Sequence, residues 1–349
     1  MTRNLKATVW RILAGLYVAS GMGWIRHRGR VVILTYHRVV ADHMVRDEHI
    51  QPGMYVRGQS FEAHIAYLRK RFTIISLDEL LDLWQTNRLK SDQSYCVITF
   101  DDGWKDNYQF AFPVLMKYRI PATIFLATDF IGTARWFWPD QMMLLLEKGG
   151  QHTTGAADRE AVSTILAETI GVRLSAADGI FRRVESGDPI DLDTIIEFCK
   201  GVEAVKVHQI IDRLSRTLHM DLPTHRVLLN WDEVREMAGK GITFGSHSVS
   251  HRIMTQIPLS DVKMELIDSR KTMLEQGIKP IPVFCYPNGN FDRAIQELVK
   301  ESGYLAAVGC EVGLEQDRPN DLYALKRISV HEDSSASVPI LAFTLSGLR

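Results

Sequence analysis

The chain has 349 residues, of which 46% are hydrophobic and 24% charged; this is ordinary for a soluble globular protein and sufficient for a sizeable core. A formal net charge of -1 gives no electrostatic reason to expect nucleic acid as a partner. The four cysteines are widely spaced without a Cys-x-x-Cys pair, so we expect neither a cysteine metal site nor a disulfide framework.

Near the N-terminus, residues 12–25 (ILAGLYVASGMGWI) form an uncharged apolar stretch between basic residues. The stretch is shorter than the roughly 20 apolar residues of a membrane-spanning helix. One interpretation is a helix packed on the domain, or lying on a membrane surface so that residues 7–30 make peripheral contact. A cleaved signal peptide is the alternative, but the basic cluster at 26–30 disfavours export. We therefore expect a cytoplasmic protein or one at the inner face of the membrane, with export as the alternative.

From residue 31 onwards, short apolar runs alternate with longer amphipathic segments, a pattern typical of βα units around a parallel sheet. The predicted strands are 31–36, 73–76, 95–100, 122–127, 242–246, 283–286, 305–308 and 326–330. The predicted helices are 60–71, 77–86, 106–118, 231–239, 260–276 and 291–302.

The strand pattern stops between residues 135 and 229. This region contains the helical segments 141–148, 158–169, 175–184, 191–200 and 202–218. We interpret 135–229 as a helical insertion into a domain made of 31–134 and 230–349. The insertion either covers the mouth of that domain or packs at its side.

Polar residues that could carry chemistry follow several predicted strands: His37, Asp101, Asp102, His247 and Tyr286. The C-terminal ends of the strands form the active-site face of a (β/α) barrel, whereas an open sheet gathers its ligands at one switch point. Contributions from several strands to one site therefore favour an α/β fold, a (β/α) barrel of about seven parallel strands.

One carboxylate of the Asp101 and Asp102 pair, with His247 and His251, makes a set that suits a divalent metal with positions open for water and substrate. We expect zinc, because neutral imidazole is a common zinc ligand. The other carboxylate is then a candidate base for a water activated by the metal. Asp-Asp-Gly alone also predicts a turn, and a histidine pair alone is more often surface or capping residues. Together the two motifs indicate a metal hydrolase.

These motifs resemble those of the polysaccharide deacetylase family, the nodulation-protein-B homology domain of carbohydrate esterase family 4. The similar stretches are LTYHRV at 34–39, TFDDG at 99–103, HSVSH at 247–251, FCYPNG at 284–289 and LKRI at 325–328. The resemblance extends from about residue 31 to 331, apart from the insertion. It implies a distorted, irregular barrel and a metal-dependent hydrolase that removes N-acetyl groups from the amino sugars of a polysaccharide and releases acetate.

The resemblance also implies a role for each matching residue, which the order of the two aspartates alone does not distinguish. Asp101 would be the base. Asp102, His247 and His251 would be the metal ligands, and the backbone N–H of Tyr286 would help to bind the oxyanion.

Two histidines compete for the role of general acid, which protonates the leaving amine. The late Leu-x-His motif of most family members is replaced here by Val-His-Glu-Asp at 330–333, which offers His331. A branch of the family that carries the early Tyr-His motif implies His37 instead. A purely structural histidine at the end of a strand is the remaining interpretation of His37.

The arginine that the family places ahead of Tyr-Pro is missing, because Lys-Pro-Ile-Pro occupies 279–282. Arg327 could orient Asp101 in its place, or it could form a surface salt bridge. Most aromatic side chains are packing residues, but four aromatics are candidates for stacking on sugar rings: Trp104, Tyr108, Trp136 and Trp138.

Two further functions stay open beside polysaccharide deacetylation, for which the partner is an N-acetylated glycan. One is deformylation or deacetylation of a lipid-linked amino sugar, which the apolar, basic-flanked N-terminus would support. The other is a catalytically inactive glycan-binding barrel. The intact set of Asp101, Asp102, His247 and His251 argues against it, because a binding module does not need that charge arrangement.

Overall fold

A computed structural model describes residues 14–15, 20, 27–47, 50–51, 53–152, 156–171, 174–177, 180–183 and 189–347. Most of the apolar stretch 12–25, and most of segment 1–30, lies outside the described residues. None of the helices in the described ranges has the length and apolar character needed to cross a bilayer. The chain divides into two compact units, the first made of 1–42, 52–133 and 227–349 and the second of 43–51 and 134–226.

The strands of the described residues, in chain order, are β1 (Val31–Tyr36), β2 (Arg38–Val40), β3 (Tyr55–Arg57), β4 (Thr73–Ile74), β5 (Tyr95–Phe100), β6 (Thr123–Leu126), β7 (Leu174–Ala177), β8 (Ile180–Arg183), β9 (Pro189–Ile190), β10 (Thr243–Ser246), β11 (Val283–Cys285), β12 (Ala306–Val312) and β13 (Leu325–Ser329).

The α-helices are α1 (Asp42–Asp47), α2 (Gly58–Arg71), α3 (Leu77–Gln85), α4 (Phe112–Tyr118), α5 (Trp138–His152), α6 (Ala156–Ile170), α7 (Leu192–Lys200), α8 (Ala204–Thr217), α9 (Trp231–Gly239), α10 (Leu259–Glu275), α11 (Arg293–Glu301), α12 (Glu332–Ser335) and α13 (Val338–Thr344). A π-helical turn, Asn107–Ala111, precedes α4, and two 3-10 turns lie at Met254–Gln256 and Pro287–Gly289.

Seven parallel strands of the first unit form a closed ring in the order β1-β13-β12-β11-β10-β6-β5. The ring closes because β5 pairs with β1 along its whole length, from Val31 opposite Tyr95 to Tyr36 opposite Phe100. Strand β4 pairs only with the first residues of β5, and the register of β12 against β13 shifts within the pair. The predicted distorted (β/α) barrel is confirmed.

The inside of the ring is apolar towards the N-terminal ends of its strands. Ile33, Val97 and Leu325 belong to one buried cluster, together with residues of α3. Side chains two residues apart along a strand point to the same side. Arg327, two residues after Leu325, and Asp101, four residues after Val97, therefore continue the face that points into the ring.

The second unit consists of the helices α5 to α8 and a small antiparallel sheet of β7, β8 and β9. Its core includes Met142, Leu146, Ile195 and Ile211. The predicted helix at 175–184 was wrong, because β7 and β8 pair as antiparallel strands there. The sequence did contain a signal for them, since an Asp-Gly dipeptide at 178–179 is typical of a two-residue hairpin loop.

We predict that Gly245→Ala destabilises the barrel by about 1–3 kcal/mol, because extra atoms in a filled interior force neighbours apart. A Cβ at 245, in β10, would lie 2.6 Å from the ring of Phe125 and 3.2 Å from the carbonyl oxygen of Val283. The free energy of unfolding, measured by urea denaturation, tests this.

Gly239→Ala is the matched control, because no heavy atom lies within 4 Å of a Cβ added at this last residue of α9. Alanine in a helix is better than glycine by roughly 0.5–1 kcal/mol, so this variant should unfold at an equal or higher urea concentration. A Gly245→Ala protein as stable as the wild type would show that the ring interior has spare room.

Candidate active site

The C-terminal ends of four ring strands carry the predicted site residues. His37 follows β1, Asp101 and Asp102 follow β5, His247 follows β10, and Tyr286 follows β11. The pairings of these strands around the ring are parallel, so their C-terminal ends lie on the same edge. The structure therefore brings residues that are far apart in the sequence to one end of the barrel.

Asp102, His247 and His251 form a compact group of possible metal ligands. Nε2 of His247 lies 3.4 Å from Oδ1 of Asp102, and Nε2 of His251 lies 3.2 Å from the same oxygen. One ligand atom from each residue falls within 4.8 Å of the other two. Two imidazoles and one carboxylate at this spacing are the donor types that zinc and similar divalent ions accept.

Neighbouring groups orient two of these three residues. Nδ1 of His247 donates to the backbone carbonyl of Cys285 at 2.8 Å, which directs the other ring nitrogen, Nε2, towards Asp102. Nε1 of Trp104 donates to Oδ2 of Asp102 at 2.8 Å, so that Oδ1 is the oxygen that faces the imidazoles. Outer hydrogen bonds of this kind orient metal-binding side chains. The donor set therefore fits a divalent metal.

The backbone at these residues is in an uncommon conformation. Asp102 has φ 74° and His251 has φ 59°, as does Ser248 with φ 68°. Left-handed backbone in residues other than glycine is strained and concentrates at functional sites. Gly103 follows with φ 82°, and a Cβ there would lie only 2.7 Å from Cδ2 of Leu126. Glycine at 103 is therefore required by the turn that carries Asp102.

Arg327 binds Asp101 inside the ring through two parallel hydrogen bonds. Its NH1 donates to Oδ1 and its NH2 to Oδ2, each at 2.7 Å, while its Nε donates to the carbonyl of Gly309. Arg327 is only 1% exposed, so the alternative of a surface salt bridge is wrong. The guanidinium orients the Asp101 carboxylate, and such paired, charge-assisted bonds are the strong ones.

The charge state of Asp101 follows from this pairing. Burial raises the pKa of its carboxyl, but the attraction and hydrogen bonds of Arg327 outweigh burial and lower the pKa to about 2. The imidazoles of His247 and His37, when protonated, lower this pKa further. Burial also raises the pKa of Asp102, but hydrogen bonds with His247 and His251 bring it well below its usual range. Both carboxylates are therefore ionised at neutral pH.

A second group of possible ligands, Asp101, His247 and Cys285, also lies within 4.8 Å. It fits a metal less well, because both oxygens of Asp101 already accept hydrogen bonds from Arg327. Burial also raises the pKa of the Cys285 thiol, whereas the thiolate is the form that binds metals. The set with Asp102 and His251 is the better candidate.

The two candidate general acids lie in different surroundings. His37 is half-buried and follows β1, which pairs with the strand that carries Asp101 and Asp102 at its end; when protonated, it lowers the pKa of both carboxyls. His331 begins the short helix α12. Its carbonyl accepts hydrogen bonds from the hydroxyls of Ser334 and Ser335, and its Nδ1 lies 3.7 Å from Asp333.

The predicted oxyanion donor, the backbone N–H of Tyr286, already has a partner. It donates to the carbonyl of Val308 at 3.2 Å, and the Tyr286 hydroxyl donates to the carbonyl of Tyr323. In this structure the Tyr286 N–H is paired with β12, and its role in binding the oxyanion stays a prediction. Pro287 has no N–H, so the next backbone donor along the chain is Asn288, in left-handed conformation with φ 56°.

Of the predicted sugar-stacking aromatics, Trp104 is excluded, because it is 2% exposed and lies under the guanidinium of Arg38 at 4.6 Å.

The sequence also predicted no role for Glu265 of α10, which binds the loop after His247. A charged residue on the buried face of an amphipathic helix was the available signal for Glu265.

The three other candidates for sugar stacking also have partners. Tyr108 bonds to Glu236, Trp136 bonds to the carbonyl of His225, and Trp138 packs on the second unit's core.

We predict that Arg327→Met lowers the free energy of unfolding at pH 7 by about 3–5 kcal/mol, because it leaves the Asp101 charge buried without a partner. The folded-state pKa of Asp101 is about 2, below its ordinary value of 3.8. The pairing with Arg327 therefore stabilises the protein fully above pH 3.8, and this stabilisation is lost as the pH falls through about 2. The deficit of the variant should therefore be at its full size at pH 7 and shrink as the pH falls from about 3.8 towards about 2. Urea denaturation at several pH values measures it.

Arg57→Met is the control for that measurement. Arg57 bonds to Asp42 at 2.7 Å, but both side chains are well exposed, and surface pairs contribute only about 0–1 kcal/mol. A deficit of the Arg327 variant no larger than that of the Arg57 variant would contradict the importance of the buried pair.

Comparison with known proteins agrees with this geometry. The family model for polysaccharide deacetylases matches residues 88–169 and 208–307, slightly more than half of the chain. The chain is also 22% identical over 316 residues to YxkH of Bacillus subtilis (strain 168), a protein provisionally named a polysaccharide deacetylase. That similarity covers 90% of this chain and 77% of YxkH.

Two solved structures share the fold. The deacetylase PplD of Streptococcus pyogenes, in complex with acetate, has 17% identity and a TM-score of 0.55, covering 90% of this chain and 98% of PplD. IcaB from Ammonifex degensii has 17% identity and a TM-score of 0.53, covering 91% of this chain and 97% of IcaB. By the family match, this chain belongs to the polysaccharide deacetylase family, whose members are hydrolases that act on amide bonds.

Proposed function

We propose that this protein is a metal-dependent N-deacetylase that hydrolyses the N-acetyl groups of amino sugars in a polysaccharide and releases acetate. The observation that carries the proposal is the separation of roles at the barrel edge. Asp101 is held by Arg327 as an ionised carboxylate, while Asp102 faces His247 and His251. Family membership supplies the reaction class, and the acetate in the PplD structure fits the product of this reaction.

Asp102, His247 and His251 would hold the metal, with zinc the favoured ion. A bound divalent ion would polarise the amide carbonyl and make a water molecule more acidic. The protein orients two of these ligands in advance, because His247 donates a hydrogen bond to the carbonyl of Cys285 and Asp102 accepts one from Trp104.

Asp101 would act as the general base. Its carboxylate is ionised at neutral pH and accepts the proton of the attacking water as the water oxygen bonds to the carbonyl carbon. Arg327 binds both oxygens and fixes the plane of the carboxylate, so the base keeps one orientation through the reaction. Proton acceptance is the step that an asparagine at 101 could not perform.

His37 would act as the general acid. The C–N bond breaks readily only when the amine nitrogen receives a proton, and protonated His37 can donate one at the same barrel edge. The influence of its charge on Asp101 and Asp102 supports this assignment. The Tyr286 backbone N–H could help to bind the oxyanion only if its bond to Val308 opened.

A lipid-linked amino sugar is the second candidate substrate, supported by the apolar N-terminal stretch with its basic flanks. In that case residues 7–30 would contact the membrane, and the reaction would be deacetylation or deformylation at its inner face. Location in the cytoplasm or at that face stays a prediction. An inactive glycan-binding barrel is disfavoured, because the base and the ligand set are present together.

The function is tested by incubating the zinc-loaded protein with N-acetylglucosamine oligomers of different linkage and with N-acetylated and N-formylated lipid-linked amino sugars. We expect free acetate from an oligosaccharide, detected enzymatically and as loss of an acetyl group by mass spectrometry. Removal of the metal by a chelator should stop the reaction, and added zinc should restore it. Loss of formyl or acetyl only from the lipid-linked sugars would favour the second candidate.

Two variants separate base from ligand in that assay. Asp101→Asn should retain stoichiometric metal while turnover falls by about 10²–10⁴-fold, because an amide cannot accept the proton. His251→Ala should lose both metal and turnover. Metal content, measured by atomic emission, distinguishes a base from a metal ligand. Loss of metal from Asp101→Asn with retention in Asp102→Asn would reverse the assignments of Asp101 and Asp102.

The acid is tested by comparing His37→Ala with His331→Ala. We expect His37→Ala to lower kcat by about 10²–10⁴-fold, with metal retained and KM little changed. Substrate still binds, but the C–N bond breaks slowly because the leaving amine receives no proton. His331→Ala should lose much less activity. Near-normal turnover in His37→Ala together with collapse in His331→Ala would assign the acid to His331.

A further inference from the structure

The loop that carries both candidate histidine ligands is bound to one helix, α10. The carboxylate of Glu265 accepts hydrogen bonds from the backbone N–H groups of Val249 and Ser250, each at 2.8 Å, and from the hydroxyl of Ser250. A guanidinium nitrogen of Arg252 donates to the same carboxylate at 3.1 Å. One side chain therefore contacts the residues on either side of His251.

One helical turn further, Ser269 binds the other end of the loop. Its hydroxyl donates to the carbonyl of Leu266 at 3.2 Å, so it accepts the hydroxyl proton of Ser246. The oxygen of Ser246 in turn accepts the backbone N–H of Ser248, whose own hydroxyl accepts the N–H of His251. This chain of hydrogen bonds runs from α10 to the backbone of the second histidine.

The loop needs external support because its conformation is unfavourable by itself. Ser248 and His251 have left-handed backbone, which persists only where the surroundings determine it. Glu265 is 5% exposed on the apolar face of α10, where a carboxylate is costly unless its hydrogen bonds are made. The chain places this buried charge where it binds the backbone just before His251 and the guanidinium of Arg252 just after it.

We propose that Glu265 and Ser269 are positioning residues that hold the 247–251 loop ready for metal, an inference that rests on the proposed metal centre. Glu265 is the principal one, because it binds the segment that carries His251, the more exposed of the two histidine ligands. Without these bonds the loop could relax towards ordinary backbone angles, and Nε2 of His251 would leave its place beside Asp102.

The test measures metal affinity in Glu265→Gln, which keeps the size of the side chain but replaces one acceptor oxygen by a donor. Competition with a chromophoric chelator should show zinc binding weakened by about 10–100-fold, the usual effect of removing an orienting partner. The visible spectrum of the cobalt-loaded protein should change as well. Ser269→Ala, which removes only a hydroxyl, should weaken binding in the same direction by a smaller factor and provides a second, milder variant.

Glu315→Gln is the matched control. Glu315 is also 5% exposed and its carboxylate accepts the backbone N–H of Lys326 at 2.8 Å. Its backbone pairs with Val31, the first residue of β1, so it lies at the opposite end of the ring from the site. This variant should lose stability without losing metal affinity, which separates a positioning role from a general loss of structure.

Unchanged zinc affinity in both α10 variants would overturn the inference, as would an equal loss in Glu315→Gln. If the wild-type protein itself binds no stoichiometric metal, the proposed metal centre falls and this inference falls with it. Tight binding in the wild type with an unaffected Glu265→Gln variant would reject only the role of Glu265.

Discussion

The pairing that closes the ring determines where His37 and Asp101 lie. Strands β1 and β5 run parallel in register from Val31 and Tyr95 to Tyr36 and Phe100, and the N–H of Asp101 then donates to the carbonyl of Tyr36. The residues that follow the two strands, His37 and Asp101, are therefore neighbours. Strand β13 lies on the other side of β1, and its Arg327 points into the same space. The proposed acid His37, the proposed base Asp101 and the guanidinium of Arg327 come together because the ring closes there.

Two adjacent carboxylates at a buried strand end would repel each other, and the structure resolves this by giving each its own partners. Asp101 continues the inward face of β5 and meets Arg327, whereas the left-handed turn at Asp102 directs its carboxylate to the imidazoles. Like charges that shared one environment would force one carboxyl to take up a proton. Separate partners keep both ionised, and this supports distinct roles for the two.

The strands of the ring and the residues at their ends were predictable, because buried parallel strands produce short apolar runs and chemistry concentrates where they end. The pairing of Arg327 with Asp101 was only one of two alternatives, since 226 residues separate them and no local pattern distinguishes a buried arginine from an exposed one. Trp104 was one of four candidates for sugar stacking, because its sequence position does not show that the turn after Asp102 directs the indole back to the carboxylate. The helix predicted at 175–184 is a pair of antiparallel strands, for which the Asp-Gly dipeptide was the local signal.

The left-handed residues show how the site combines strain with rigidity. A strained backbone at Asp102 and His251 would relax in a flexible loop, yet each is held by contacts from elements that do not bind metal themselves. The indole of Trp104 and the close packing at Gly103 hold the first, and the hydrogen bonds of α10 hold the second. The free energy that maintains these angles thus comes from the folding of the barrel. A metal that binds there need not order the loops, so more of its binding free energy is available for its own coordination.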